Sequence, residues 1–551
     1  MKNGLPWRPH GILTPSSPSA RSCVFGSLCE LSVLKRETNN SVPHKILKFP
    51  IPLSYSNSKL QLKSPTQTPK HYPQSETRKS LFCQFTEHKP VNSPNESLPI
   101  HRIVLICDVK CGIISAMKEG ECYKKRVLDA ILERKLSGAG AVLVEGPKWC
   151  GKTTTCEQHA KSALYMADPV RRDRYRVQAE VDITELMKGE QPRLIDEWQD
   201  APKFWDAIRY DVDHAAGWGH YILTGSAVPP DDKSERSGKK DIVHSGTGRI
   251  VRVRMRPMSL WESGESTGTV SIGALFAGER FASGKAMERS LKDTAYLLCR
   301  GGWPQAVGQS GETALDRAFE YVDAIVNSDI SRVDGVSRDP RRVRLLLKSY
   351  ARLQGTQSTI VNIRKDMTIG DANGPDDDTV SSYLSALRKI FVIEDSEAWC
   401  PALRSKAAIR MSPTRYYSDP SIATASLGLG PDDLMNDIRT YGLFFEAMAV
   451  RDLRVYADAL NGNVSHYLDR NGLECDAVVH LRNGTSGLVE VKLGGETLIE
   501  EGAKTLNELS GVIDTLRQKE VAFKMVVTAA GDFAYQRADG VIVCPLSALR
   551  P

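Results

Sequence analysis

The sequence has no apolar run near 18 residues and no cysteine pattern typical of a metal site. The 12 cysteines of this 551-residue chain are scattered, without a CxxC pair or a Cys/His cluster at zinc spacing. The first absence excludes a membrane-spanning helix. The second argues against the zinc-finger class and favours free thiols in a reducing compartment. We therefore expect a cytoplasmic protein without a membrane partner.

Excess positive charge is missing from most of the chain, although the formal net charge is +6. The first 100 residues hold 13 Lys and Arg against 5 Asp and Glu, which leaves 60 against 62 for the remainder. The body of the chain is therefore not a strongly basic nucleic-acid binder, and any such surface must be local.

The first 100 residues also lack aspartate, and they contain 13 of the 29 prolines. A segment of this kind buries too little apolar surface to offset its ordering entropy. A helical pattern begins abruptly after Met117, with apolar residues at Val127, Leu128, Ile131 and Leu132. We expect residues 1–116 to be a disordered extension that the functional chain can lose. A transit peptide is the alternative, although the prolines disfavour an amphipathic helix.

A phosphate-binding loop follows a predicted buried strand at residues 139–145. Residues 146–153, GPKWCGKT, match the pattern G-x-x-x-x-G-K-[ST] in full. The glycines let backbone N–H groups turn toward phosphate, Lys152 adds a positive charge, and Thr153 can ligate Mg²⁺. The next helix directs the positive end of its dipole at the same place. We predict that ATP and Mg²⁺ are the cofactors, and that the loop residues in contact with them are Gly146, Pro147, Lys148, Trp149, Cys150, Gly151, Lys152, Thr153 and Thr154.

An acidic pair ends the next predicted strand, in LIDEWQD. Asp196 can hold the Mg²⁺ shell, and Glu197 can orient or deprotonate a water. This pair favours ATP hydrolysis over the transfer chemistry of a kinase. The following strand, ILTGSA, ends in Thr224 and Ser226, whose hydroxyls can hydrogen-bond the attacking water or the γ-phosphate. A simple turn is the alternative for these two residues.

Arg249 precedes a strand in which arginines alternate with apolar residues, from Ile250 to Arg256. An arginine here can stabilise charge on the γ-phosphate, in its own subunit or in a neighbouring one. A solvated or acid-paired arginine is an equal alternative.

The order of these motifs, followed by YLLCRGGWPQAV at residues 296–307, resembles that of prokaryotic AAA-type ATPases with a C-terminal domain of uncertain function. The resemblance covers the chain from about Tyr123 onward, and a long polar insert before Arg249 departs from the pattern. It implies a P-loop fold, a parallel sheet with helices on both faces, in a core at residues 117–270. It also implies a helical lid at residues 271–336.

Three helical patterns and an extended segment, FVIEDSEAW, predict a winged helix-turn-helix within residues 337–420, and the resembled family has one here. Basic residues cluster at its start and can touch a phosphate backbone: Arg338, Arg341, Arg342 and Arg344. Winged helices often serve as protein contacts instead. DNA, a protein partner and self-association therefore all stay open.

Residues 421–551 show the residue order of the PD-(D/E)xK nuclease fold, a restriction-endonuclease-like α/β domain. Glu446 lies in an amphipathic helix, Asp476 opens a strand, and Glu490 and Lys492 share a face of the return strand. Asp476 and Glu490 can share a Mg²⁺, Glu446 can complete its shell, and Lys492 can aid the nucleophile. Many domains of this shape bind without cutting, so catalysis and plain binding both stay open.

The sequence therefore predicts an α/β multidomain, Mg²⁺-dependent ATPase whose nucleotide state controls a nuclease-like domain that acts on DNA. The alternative is a nucleotide-gated switch, in which the C-terminal domain only binds a partner.

Overall fold

A computed structural model describes residues 123–226, 246–368, 374–401, 411–515 and 521–551, with the backbone of five short strands before residue 119. The chain divides into two units, Met1–Glu121 and Cys122–Pro551. The disorder that we expect for residues 1–116 falls mostly outside the described residues and stays a prediction.

The first unit contains two small antiparallel sheets. The central strand of one sheet pairs with two others, and the second sheet is a single pair. The strands are β1 (Glu30–Ser32), β2 (Phe49–Pro50), β3 (Phe82–Gln84), β4 (Ile103–Cys107) and β5 (Ile114–Lys118).

A five-stranded parallel sheet organises the first part of the second unit. Its spatial order is β10 (Ile250–Arg254), β6 (Ala141–Glu145), β9 (Tyr221–Gly225), β8 (Arg193–Asp196) and β7 (Ser162–Tyr165). Alternate residues of β6 enter two apolar clusters, one on each face. Burial on both faces explains why the strands read as short apolar runs. The expected parallel sheet with helices is confirmed. The helices of this part are Val127–Leu136, Lys152–Glu157, Arg172–Val181, Thr184–Met187 and Lys203–His214, with a 3₁₀ turn at Trp198–Asp200.

Helices dominate the described chain between the two large sheets. They are Leu260–Ser263, Ile272–Phe276, Leu291–Arg300, Pro304–Val307, Gly311–Ala324, Ile330–Arg332, Pro340–Arg352, Ile360–Thr368, Asp377–Lys389, Pro420–Leu427 and Pro431–Asn436. A π-helical turn, Ile325–Asp329, lies between two of them. Two isolated antiparallel bridges, Ile393 with Tyr417 and Ser396 with Thr414, follow the helix Asp377–Lys389.

A mixed seven-stranded sheet forms the C-terminal part. Its spatial order is β12 (Gly284–Lys285), β17 (Phe533–Gln536), β18 (Ile542–Pro545), β16 (Val521–Thr528), β15 (Ser486–Lys492), β14 (Glu474–Leu481) and β13 (Gly462–Leu468). The helix Ile438–Ala459 precedes β13, and the helix Glu496–Thr515 connects β15 to its parallel neighbour β16. A turn at residues 482–484 joins the antiparallel strands β14 and β15.

Two short pairings attach the segment after the first sheet to the C-terminal part. The edge strand β12 pairs with β17, and β11 (Val270–Ser271) pairs in parallel with β19 (Leu549–Arg550). Among the described residues, no helix is long and apolar enough to cross a membrane.

A buried polar network joins the Gly-Gly-Trp-Pro segment to the helix that carries Arg451 and Asp452. The backbone N–H of Gly302 donates to Asp419 at 3.0 Å. Arg451 binds the same carboxylate at 2.9 Å and Asp452 at 2.7 Å. Asp452 also accepts the backbone N–H of Leu260 at 2.9 Å. The three charged side chains are buried together, so each compensates the desolvation of the others.

Replacing Gly302 by alanine should destabilise this junction. A Cβ at Gly302 would lie 2.1 Å from the backbone oxygen of Met258 and 2.7 Å from its nitrogen. Because the clash is with backbone, we expect Gly302→Ala to lower the free energy of unfolding by about 2 kcal/mol, as measured by urea denaturation. Gly308→Ala is the matched control, since the nearest described neighbour of its Cβ would be 3.8 Å away. Equal stability of the two variants would contradict this packing.

Candidate functional site

The phosphate-binding loop lies at the carboxyl end of β6, where it enters the helix Lys152–Glu157. A Cβ at Gly146 would lie 2.1 Å from the carbonyl oxygen of Met255, and Gly151 has a φ of 97°. The buried Lys152 ammonium donates to the carbonyl oxygens of Gly146 and Pro147, each at 2.9 Å. A lysine and a helix N-terminus enclosed by one loop form the donor set that phosphate oxygens require.

Asp196 lies beside this loop because β9 is inserted between β6 and β8. One carboxylate oxygen of Asp196 accepts the Thr153 hydroxyl at 2.7 Å and the Thr224 hydroxyl at 2.6 Å. Strand order therefore brings three predicted site residues into direct contact. The hydroxyl of Thr153 and the carboxylate of Asp196 fit the oxygen ligands that Mg²⁺ prefers.

Glu197 follows Asp196 in a left-handed backbone conformation, with a φ of 55°, which is uncommon outside glycine. The Thr224 hydroxyl accepts its backbone N–H at 3.0 Å. Its carboxylate accepts hydrogen bonds from Ser226, at 3.1 Å, and from Gln199. A strained backbone often marks a functional position. Gln199 is a site residue beyond those that the sequence predicts, although its place two residues after Glu197 is a usable signal.

Lys148 and Trp149 contact the helical segment 311–329 rather than the interior of the loop. The Lys148 ammonium lies 2.6 Å from Asp329, and the Trp149 ring packs at a tilt against Tyr321 with centroids 5.4 Å apart. Neither Asp329 nor Tyr321 could be found from the sequence, since no local pattern connects them with the loop.

Two further loop residues, Cys150 and Thr154, differ in their surroundings. Cys150 is buried, and its carbonyl oxygen accepts a hydrogen bond from Arg126 at 2.8 Å. Thr154 is exposed on the helix that follows. The sequence analysis did not identify Arg126 as a neighbour of the loop.

Arg249 lies at the amino ends of the parallel strands, whereas the phosphate-binding loop lies at their carboxyl ends. It directly precedes β10, which runs parallel to β6, and its carbonyl oxygen accepts the N–H of Ala141 at the start of β6. A five-residue strand spans about 16 Å, which is beyond the reach of an arginine side chain. The prediction that Arg249 reaches a γ-phosphate in its own chain is therefore wrong.

The guanidinium of Arg249 instead binds Asp213 at 2.7 Å and lowers the pKa of that carboxyl. This is the acid-paired alternative. A role toward a neighbouring subunit stays a prediction.

Arg256, just beyond the carboxyl end of β10, links the nucleotide site to the C-terminal half. Its guanidinium binds Glu394 at 2.7 and 2.9 Å and also contacts Asp458. Its carbonyl oxygen accepts a hydrogen bond from Arg126 at 2.8 Å. Burial alone would raise the pKa of Glu394, but Arg256 and Arg254 hold it well below its usual value.

The predicted residues of the C-terminal domain converge from a helix and two strands. The Lys492 ammonium lies 2.6 Å from Glu490 and 3.5 Å from Asp476. Asp476 accepts the backbone N–H of Val491 at 2.7 Å. Glu446 accepts a hydrogen bond from the Tyr416 hydroxyl. The sequence analysis missed Tyr416, which comes from the extended segment after the three helices.

These carboxyls do not form a ready metal-ligand set. In the part of the chain that the structure describes, no group of three or more His, Cys, Asp or Glu could hold a metal ion. Lys492 occupies the space between Asp476 and Glu490, and Tyr416 engages Glu446. The predicted ligand set of Glu446, Asp476 and Glu490 is therefore not assembled in this arrangement.

Burial opposes ionisation of two of these carboxyls. Burial, with the neighbouring Asp476 charge, raises the pKa of Glu490 to about 8, although the Lys492 ammonium acts in the opposite direction. The same two causes raise the pKa of Glu446 well above its usual value. Burial therefore favours the protonated form of both groups.

The basic cluster that we expected to contact DNA is largely neutralised. Arg338 is buried and binds Asp334 at 2.7 Å, and Arg344 binds Asp323 at 2.9 Å. Arg341 is exposed and Arg342 is partly buried. Arg338 is therefore unable to contact a phosphate backbone, whereas the ion pair of Arg344 lies at the surface.

Three family models match parts of this chain. Residues 139–263 match an AAA domain. Residues 291–433 and 441–549 match two domains of unknown function, DUF8612 and DUF4143. No curated protein matches the chain by sequence.

Two solved structures show weak likeness. The Walker-type ATPase PABY2304 of Pyrococcus abyssi is 13% identical, with 55% of this chain and 96% of that chain covered and a TM-score of 0.33. The ORC1 protein of Aeropyrum pernix, solved in complex with DNA, is 14% identical, with 56% and 92% covered and a TM-score of 0.18. Scores this low carry no argument. The family match and the phosphate-binding loop together identify an AAA-type P-loop ATPase domain.

Stability should depend on pH through Glu490. Its pKa is raised by folding to about 8 from a reference value of 4.5, so the folded state binds this proton more tightly. The resulting stabilisation is complete below the unfolded pKa and is lost as the pH rises through 8. Because glutamine mimics the protonated carboxyl, Glu490→Gln should gain on wild type by about 4 kcal/mol between pH 5 and pH 9.

Urea denaturation in EDTA-containing buffer measures this difference at each pH. Glu508→Gln, on an exposed position of the neighbouring helix, is the control and should show no such trend. A Glu490→Gln advantage that is equal at pH 5 and pH 9 would contradict the assignment.

Proposed function

We propose that this chain is a Mg²⁺-dependent ATPase whose nucleotide state controls its C-terminal domain. The observation that carries this proposal is the contact of Asp196 with both Thr153 and Thr224 beside the phosphate-binding loop. Mg²⁺ bound together with ATP would supply charge neutralisation on the phosphates.

The side chains around Asp196 divide the work of hydrolysis. Lys152 and the loop backbone bind the phosphates. The Asp196 carboxylate and the Thr153 hydroxyl would provide oxygen ligands for Mg²⁺. Glu197 accepts the proton of the attacking water. Ser226 and Gln199 fix the Glu197 carboxylate, and Thr224 fixes its backbone.

Two buried charged groups support control of the C-terminal domain by the nucleotide site. Arg256 connects the edge of the sheet to Glu394 and Asp458. Arg451 connects Asp419, and through it Gly302, to the same helix that carries Glu446. If the sheet edge moved and the helix Ile438–Ala459 did not, the ion pair between Arg256 and Asp458 would break. Breaking a buried ion pair costs free energy, because it leaves desolvated charges without a partner.

The topology of the C-terminal part supports a nuclease-like fold. One helix, three antiparallel strands, a crossover helix and a parallel strand follow in that order, with Asp476, Glu490 and Lys492 on adjacent strands. The three helices and bridged segment before it support a winged helix. We propose that this domain acts on DNA, and that Asp476 and Glu490 would hold a metal ion once Lys492 no longer engages both carboxylates.

A nucleotide-gated switch with a non-cutting C-terminal domain is the second candidate. The carboxyls of Glu446 and Glu490 favour it, because each already has a partner and burial raises the pKa of both. The neutralised arginines at the start of the winged-helix region favour a protein partner or a second copy over DNA.

Variants of the nucleotide site should separate binding from turnover. Lys152→Ala should abolish ATP binding, because it removes the buried ammonium of the loop. Glu197→Gln should retain binding and lower kcat by about 100-fold or more, because the amide cannot accept the water's proton. Calorimetric ATP titration and phosphate release measure the two steps.

Lys161→Ala, at an exposed position beyond the helix Lys152–Glu157, is the control and should behave as wild type. Normal turnover by Glu197→Gln would refute its role as the base, and ATP binding by Lys152→Ala would refute the site.

Nuclease action predicts Mg²⁺- or Mn²⁺-dependent cleavage of DNA that is lost in Asp476→Ala and Glu490→Ala. ATP hydrolysis should persist in both variants, which shows that they fold. Single-stranded, duplex and branched DNA are the substrates, and Glu508→Ala is the surface control. If no substrate is cut by a wild-type chain that hydrolyses ATP, the switch is the correct function.

A further inference from the structure

The ion pair between Lys148 and Asp329 joins the phosphate-binding loop to the π-helical turn Ile325–Asp329. The two charged atoms are 2.6 Å apart. The Asp329 side chain is 8% exposed, whereas that of Lys148 is 40% exposed. The carboxylate is therefore fixed within the protein, and the ammonium at its side lies at the surface of the site.

A row of aromatic rings accompanies this ion pair. Trp149 packs against Tyr321 at an interplanar angle of 56°, and Tyr321 packs against Trp303 at 38° with centroids 4.5 Å apart. Trp149 has a φ of 66°, a conformation that a bulky residue adopts only when its surroundings hold it. The centre of the loop is thus shaped by contacts with the helical segment.

A bound nucleotide would compete with Asp329 for Lys148. Lysine is a point charge on a flexible four-carbon stem, and Lys148 belongs to the same short loop as Lys152. A triphosphate carries more negative charge than one carboxylate, so it attracts the exposed ammonium more strongly. Asp329 would then remain buried without its partner, which destabilises the turn that carries it.

We propose that Lys148 is a second phosphate-binding cation and that Asp329 is the positioning residue that holds it in the nucleotide-free protein. ATP takes Lys148 from Asp329, and the π-helical turn then loosens. A π-helical turn is a common location for such a functional adjustment, since its hydrogen bonding differs from that of the flanking helix. This inference rests on the proposed ATP binding.

Asp329→Asn is the decisive variant. It should lower the Kd for ATP by about three- to tenfold, because Lys148 no longer has a competing carboxylate. Lys148→Met should raise the Kd, and adding Asp329→Asn to Lys148→Met should change nothing further. Asp329→Glu, which keeps the carboxylate, should stay near wild type.

Asp323→Asn is the matched control, because it removes an equal charge from an exposed position on the adjoining helix. It should leave the Kd unchanged. If Asp329→Asn binds ATP no more tightly than Asp323→Asn does, or tightens binding equally in the Lys148→Met background, the proposal is overturned. If the wild-type chain binds no ATP, the proposed function fails and this inference fails with it.

Hydrogen exchange gives a readout that affinity alone does not. The amides of residues 325–332 should exchange faster in wild type with a non-hydrolysable ATP analogue than without nucleotide. Asp329→Asn should show fast exchange in both states. Unchanged or slower exchange in nucleotide-bound wild type would contradict release of the turn.

Discussion

The carboxylate of Asp196 is the point on which the nucleotide site depends. It accepts hydrogen bonds from Thr153 and Thr224, which come from different elements of the chain. This arrangement is possible only because β9 lies between β6 and β8, so that three carboxyl ends meet at one edge of the sheet. The left-handed Glu197 follows directly, and its backbone is held by the same Thr224 hydroxyl. Moving any of these strands by one residue would separate the acid, the hydroxyls and the base.

The same sheet edge is tied to the rest of the second unit by ion pairs that are largely buried. Arg256 and Arg451 each bind two carboxylates, and both pairs involve the long helix that carries Glu446. A surface ion pair contributes little to rigidity, whereas a buried one resists separation because each partner would be left desolvated. The helical region and the two sheets are therefore mechanically connected through a few side chains.

The sequence predicted those parts of the site that are local in the chain. The phosphate-binding loop, the Asp196-Glu197 pair and the β14–β15 hairpin each depend on residues within one short segment and on strand alternation. Arg249 shows the limit of this reasoning. The order of motifs gives the positions of residues along the chain, but it does not show whether a residue lies at the amino ends or the carboxyl ends of the strands. Asp329, Tyr416 and Arg126 were missed for a related reason, since each reaches its partner only through tertiary packing. The metal-ligand prediction for Glu446 followed residue order correctly, but order does not show that Tyr416 engages its carboxylate.

The short strands β11 and β12 make the C-terminal sheet a product of two distant parts of the chain. Their partners, β19 and β17, lie roughly 250 residues further along. Pairings with such high sequence separation lose much loop-closure entropy before any contact forms, so they form slowly. Until β12 pairs with it, β17 is an exposed edge strand that can pair with another chain. We therefore expect a late, concentration-sensitive step in folding, which co-translational folding of the first sheet would not remove.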